Sequence, residues 1–120
     1  MAGPDDKLVV RGAWGEIRYV SRPDASRPAE EFYASLSIGD KARVDSLLKR
    51  MADIGRIFNR TKFKQVDGDI FEFKIFAIRI SCYRERSCWY LLHAFTKKSD
   101  RWPAGELIRA KNLLREHRGH

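Results

Sequence analysis

Glu72, Lys74, Arg79, His93 and the pair Lys97–Lys98 are the residues whose types and spacing could do chemistry in this chain. Each lies within or just beyond an apolar stretch that reads as a strand, so a rigid sheet would hold it in place. Fixed cations stabilise a pentavalent phosphate, whose negative charge grows during attack. A histidine or a carboxylate can move the protons. RNA carries its own nucleophile, the 2′-hydroxyl, so chemistry of this kind requires neither a metal nor a protein nucleophile.

The strands that must position these groups are expected at Ile70–Ile75, Ile78–Tyr83 and Cys88–Thr96, entered through the turn Asp67-Gly68-Asp69. A tight turn at Phe76-Ala77 would set Ile75 opposite Ile78, Phe73 opposite Ile80 and Phe71 opposite Cys82. All six are apolar, which makes that face core. Lys74 then opposes Arg79, and Glu72 opposes Ser81, on the other face. A three-residue loop at Arg84-Glu85-Arg86 would place Cys82 opposite Cys88 and continue the core through Tyr90, Leu92 and Ala94. His93 and Lys97 would then join Arg79 and Lys74 on an open polar face. A slip of one residue would turn His93 and Lys97 inward, and an unpartnered buried lysine is costly.

A formal charge of +8 and a pI near 9.8 favour polyanions: nucleic acid first, an acidic protein second, a lipid surface third. Between residues 56 and 64, Arg56, Arg60, Lys62 and Lys64 occur without an acid. As RNA-binding candidates they would contact backbone, setting affinity and salt dependence rather than sequence choice. Arg84, on a hairpin tip, is a further candidate. Trp14, Trp89 and Trp102 are expected to pack wholly or partly within the protein. Cys82 and Cys88 lack the spacing of a zinc site and read as two buried thiols; no metal or cofactor is implied. No apolar run reaches the roughly 18 residues that span a bilayer, and the first residues lack the regions of a secretion signal, so a cytoplasmic location is expected.

The chain fits one domain, 1–120, with 1–7 and 116–120 frayed. Leu8 to Val20 reads as a first strand region, which Gly12 and Gly15 either break in two or bulge. Ser26 can cap a first helix with Pro28 in its opening turn and Phe32 and Leu36 on one face. Ser37 with Asp40 opens a second helix, whose inner stripe is Val44, Leu47, Leu48 and Met51 and whose end is Gly55. A last helix should run from Pro103 to about Arg115, with Leu107, Ala110 and Leu114 inward. The expected order is β-α-α-β-β-β-α. That is an α+β fold with a helical hairpin on one face of a mainly antiparallel, twisted sheet and a C-terminal helix.

Four segments, in order, resemble the RelE/ParE toxin superfamily and within it the HigB-like, phage-derived branch. They are Phe71-Glu72-Phe73-Lys74, Ile78-Arg79-Ile80, Leu91-Leu92-His93-Ala94-Phe95-Thr96-Lys97-Lys98, and Pro103 through Ala110. The order of elements is similar from about Trp14 to Arg115. The resemblance implies a RelE-like fold and the toxin of a type II toxin–antitoxin pair, a ribosome-dependent, metal-independent messenger-RNA endonuclease. Its partners would be the ribosome, mRNA and a cognate antitoxin, expected to be of helix-turn-helix type. By position, Arg79 would stabilise the scissile phosphate, Lys74 would take the strand's basic place, and Lys97 or Lys98 the basic place after the last strand. His93 falls at the family's histidine, and His93 or Glu72 would handle a proton. Two departures stand out: the turn at Phe76-Ala77 lacks the glycine or extra residues expected there, and no equivalent of the family's tyrosine follows the last helix. Relatives on a similar scaffold poison gyrase, so the alternative is a non-enzymatic gyrase poison or phage-derived host inhibitor.

Overall fold

Alternating apolar residues and turn signals build nine elements, in a computed structural model that describes residues 6–99 and 101–119. The first strand region breaks in two: β1 (Lys7–Arg11) and β2 (Glu16–Tyr19) form an antiparallel pair. The chain passes so close to the later hairpin that a Cβ on Gly15 would sit 2.1 Å from the Ser87 carbonyl oxygen. The helices α1 (Pro28–Ala34) and α2 (Ile38–Ile54) follow. Pro28 does open α1, but Arg27 is its N-cap; the Ser26 hydroxyl is turned to Asp24 instead. Ser37 caps α2 by accepting from the Asp40 N–H, and Val44, Leu47, Leu48 and Met51 are buried as expected.

Gly55 ends α2 in the left-handed region, at φ 82°. Glycine is required there twice over, since a Cβ would lie 2.5 Å from the Trp14 indole.

An unexpected strand, β3 (Phe63–Asp67), precedes β4 (Ile70–Ile75), β5 (Ile78–Glu85) and β6 (Cys88–Thr96). The six strands form one open sheet in the order β1-β2-β6-β5-β4-β3, antiparallel except where β2 meets β6. The last helix, α3, spans Glu106–Arg118 rather than starting at Pro103. Gly105, at φ 88°, is its N-cap and cannot belong to a helix, so Pro103 is left in the preceding turn.

Helices cover both sides of the sheet. On one side α1 and α2 enclose a core that includes Ile17, Val44, Leu48, Met51, Phe63, Phe73, Ile80, Cys82 and Trp89. On the other, Tyr83, Cys88, Tyr90, Leu92 and Leu113 form a smaller cluster beneath α3. The described residues of the two segments expected to fray, 6–7 and 116–119, are part of the fold. Asp6 is buried and β1 begins at Lys7, while α3 continues to Arg118 with His117 buried; residues 1–5 and His120 lie outside the described residues. Ala110 is buried and Leu107 and Leu114 are half-buried, but Leu113 is the residue that enters the cluster most fully. No helix among the described residues is long and apolar enough to cross a membrane.

Candidate functional site

The β4–β5 hairpin has the register that its alternation predicts: Phe71 with Cys82, Glu72 with Ser81, Phe73 with Ile80, Lys74 with Arg79 and Ile75 with Ile78. The β5–β6 register differs. Cys88 pairs with Glu85 and Cys82 with Leu91, so the turn is the two residues Arg86-Ser87. The two thiols are buried and free as expected, but they face opposite sides of the sheet, one in each cluster. Tyr90, Leu92 and Cys88 therefore lie under α3, and Trp89 and Leu91 take the main-core places assigned to them.

A bulge between Ser81 and Cys82 leaves Leu92 without a partner and restores the inside–outside parity beyond it. Past that point Ser81 faces His93 and Arg79 faces Phe95. Glu72, Ser81 and His93 thus form a row across three strands, and Lys74, Arg79 and Phe95 form the next row.

This face is not open. Trp102 packs edge-on against Phe95, near His93, and its Nε1–H donates to Glu72 Oε1 at 2.9 Å. Glu106, the first residue of α3, lies with Oε1 3.2 Å from His93 Nε2. Glu72, Ser81 and His93 are almost wholly buried as a result. His93 is held on both sides, since Nδ1 meets the Ser81 hydroxyl. With Nε2 protonated toward Glu106, Nδ1 is the acceptor for Ser81. Burial drives the His93 pKa down to about 4, outweighing the attraction of Glu106, so the ring is neutral near pH 7. In this arrangement His93 is a buttress rather than an exposed proton carrier.

The cations gather beside Glu72. Arg79 Nε is 3.3 Å from Glu72 Oε1, and Lys64 Nζ is 3.7 Å from Oε2. Arg79 Nη1 folds back to donate to the carbonyls of Phe76 (2.5 Å) and Ile78 (3.0 Å), leaving only 11% of its side chain exposed. Lys74 is half-buried and donates to the Arg60 carbonyl at 3.3 Å. Its pKa is lowered first by burial and then by repulsion from Lys64; the pull of Glu72 opposes this, and Arg79 and Lys97 add weaker repulsions. Lys64, Lys74 and Arg79 therefore lie about one buried carboxylate, with Lys97 close enough to repel Lys74, an arrangement whose surplus positive charge suits an anion such as a phosphate.

The other sequence candidates stand apart. Arg56 stacks over Phe58, Phe63 and Phe71. Arg60 and Lys62 are exposed and reach the cluster through backbone carbonyls, which accept from Lys74 Nζ and the Lys74 N–H. Lys98 is exposed beyond β6, and Arg84 is exposed near the far hairpin. Lys64 joins because β3 pairs it with Glu72. Trp102, Glu106 and Ser81 complete the site. Ser81 was legible in the hairpin register, whereas the first two arrive by tertiary packing alone. A groove of about 920 Å³ between β1 and the α1–α2 pair contains no comparable cation cluster. Among the described residues no group of three or more His, Cys, Asp or Glu side chains is arranged to hold a metal ion.

An α+β protein with a cation cluster set in its sheet, beside a short C-terminal helix, is the class that these features define. The family model for phage derived protein Gp49-like (DUF891) matches residues 31–115, well over half of the chain, and the chain belongs to that family, which lies within the RelE/HigB-like toxin superfamily. No curated protein matches it.

Proposed function

We propose that this chain, 1–120, is a single RelE-like domain acting as the toxin of a type II toxin–antitoxin pair. Its activity would be ribosome-dependent, metal-independent cleavage of mRNA, which inhibits translation in the cytoplasm. The observation that carries the reading is Lys74 with Lys64, Arg79 and Lys97 each within electrostatic reach of it, in a member of a toxin-like family. Such a set binds a scissile phosphate and stabilises the charge that builds as a 2′-hydroxyl attacks it. Glu72 then serves chiefly as the counter-charge that holds Arg79 and Lys64 together when no RNA is bound. Arg56, Arg60 and Lys62 would contact ribosomal or messenger RNA backbone, and a helix-turn-helix antitoxin would neutralise the whole.

One observation favours the non-enzymatic alternative. His93 is sealed by Ser81 and Glu106, and Arg79 is spent on Glu72 and two carbonyls, so neither is poised for chemistry in this conformation. The test is inducible expression of the parent beside Lys74→Ala/Lys97→Ala, whose side chains are half-buried and not part of an ion pair with Glu72. The nuclease reading expects loss of growth arrest and of mRNA cleavage in a translation extract, with the fold retained. Undiminished arrest would overturn it, and a fall in DNA synthesis before translation would favour the gyrase poison.

A further inference from the structure

We propose that Phe76 is a stacking residue that holds an unpaired base of single-stranded RNA beside the Lys74–Arg79–Lys97 cations. This rests on the RNA-directed reading above and extends it to a residue that reading does not use.

Phe76 is 75% exposed at the tip of the β4–β5 hairpin, where a polar residue or glycine is the ordinary choice. Its φ is 52°, in the left-handed region that a bulky side chain enters only at a cost and glycine enters freely. A turn that merely reversed the chain would gain nothing from phenylalanine here. The cost is spent on a ring carried by a turn whose backbone is tied to Arg79 and to Lys97. The Phe76 carbonyl accepts from Arg79 Nη1 at 2.5 Å, and the adjacent Ala77 carbonyl accepts the Lys97 N–H at 2.7 Å. Lys74 lies two residues upstream, directly across from Arg79.

The charge around the ring selects its occupant. Arg43 lies with its guanidinium carbon 5.1 Å from the ring centroid, adding a further cation to the three already named. The nearby acids, Asp40 and Glu72, are both ion-paired, to Arg43 and to Arg79. An exposed apolar ring beside Arg43, on a turn whose backbone carbonyls bind Arg79 and Lys97, fits a nucleotide: phosphate on the cations, base on the ring. A base within a duplex has no free face, so the strand must be single. Stacking of this kind accepts any base, so Phe76 would position the substrate without choosing its sequence.

The test titrates fluorescent single-stranded RNA of about eight nucleotides against the parent, Phe76→Gly and Phe76→Trp by anisotropy at fixed salt. Phe76→Gly should weaken binding roughly tenfold or more, while its melting temperature equals or exceeds the parent's because the turn is relieved. Phe76→Trp should restore affinity. With a series of oligonucleotides carrying one abasic position each, the parent should fall to the variant's level at one position, where the variant loses nothing further. Equal RNA affinity of parent and Phe76→Gly overturns the inference, as does a loss confined to binding of a protein partner. If Lys74→Ala/Lys97→Ala abolishes growth arrest while Phe76→Gly binds RNA like the parent, this inference alone fails. If Phe76→Gly loses RNA but arrest survives removal of the lysines, the stacking role stands and the nuclease reading fails.

Discussion

Ser81 stands directly opposite His93, although the residue after Ser81 pairs with Leu91, two positions before His93. The unpaired Leu92 between them lets a hairpin with a two-residue turn still present His93 on the same face as Glu72 and Arg79. That face is closed by Trp102 and Glu106, so the histidine is set in a dry row between a hydroxyl and a carboxylate.

The burial of His93 makes stability depend on pH. Its folded pKa is about 4, below the ordinary value of 6.5 that it regains on unfolding. As pH falls, the unfolded chain takes up this proton first. The contribution is therefore whole above pH 6.5, declines as pH falls to about 4, and is flat below. Urea unfolding at about pH 7 and about pH 4.5 should show the parent losing about 2–3 kcal/mol more than His93→Gln over that interval. Equal losses would mean that the ring is solvated in the folded protein.

Glu72 offers a second measurement. It is 1% exposed and faces Arg79, Lys64 and the Trp102 indole. Glu72→Gln keeps the shape but strips the charge, leaving a largely buried guanidinium without its carboxylate. A loss of about 2–4 kcal/mol is expected, because removing one member of a buried pair costs more than the pair is worth. Adding Arg79→Met should recover much of it. Additive losses in the double variant would show that the two groups are not coupled.

The β4–β5 hairpin was legible because its alternation and two-residue turn leave one workable register. Strand β6 was not: from Cys88 to Phe95 nearly every residue is apolar, both faces are buried, and no alternation marks which residue points where. The bulge at Leu92 is invisible for the same reason. Strand β3 was masked by its basic residues, which read as a solvated or RNA-binding run. The covering of the site was beyond the sequence entirely, since Trp102 and Glu106 meet Glu72 and His93 across 30 and 13 residues. A glycine did signal the true start of α3, but proline at 103 offered an earlier one.

The same limit holds at Asp6 and His117, which are joined in the folded protein. Asp6 and Glu116–His117 carry no periodic apolar pattern, so composition alone reads them as loose. Yet His117 Nε2 lies 2.7 Å from Asp6 Oδ2, its Nδ1 meets the Tyr83 hydroxyl, and Asp6 Oδ1 accepts the Ser21 N–H at 2.9 Å. One imidazole thus ties the start of the sheet, the middle of β5 and the end of α3, all buried. Because α3 also supplies Glu106, this link helps to hold the cover over the candidate site. His117→Ala should cost about 2–4 kcal/mol, since it strips a buried carboxylate and a buried phenol of a hydrogen-bond partner. Gly119→Ala should cost less than about 1 kcal/mol, since this C-cap is exposed and its φ of −79° is open to any residue. Hydrogen exchange would check the structural half of the claim, with His117→Ala raising exchange in α3 and at His93 before it does so in β4. Uniform exchange across the protein would show that the network stabilises the fold without fastening the helix to the site.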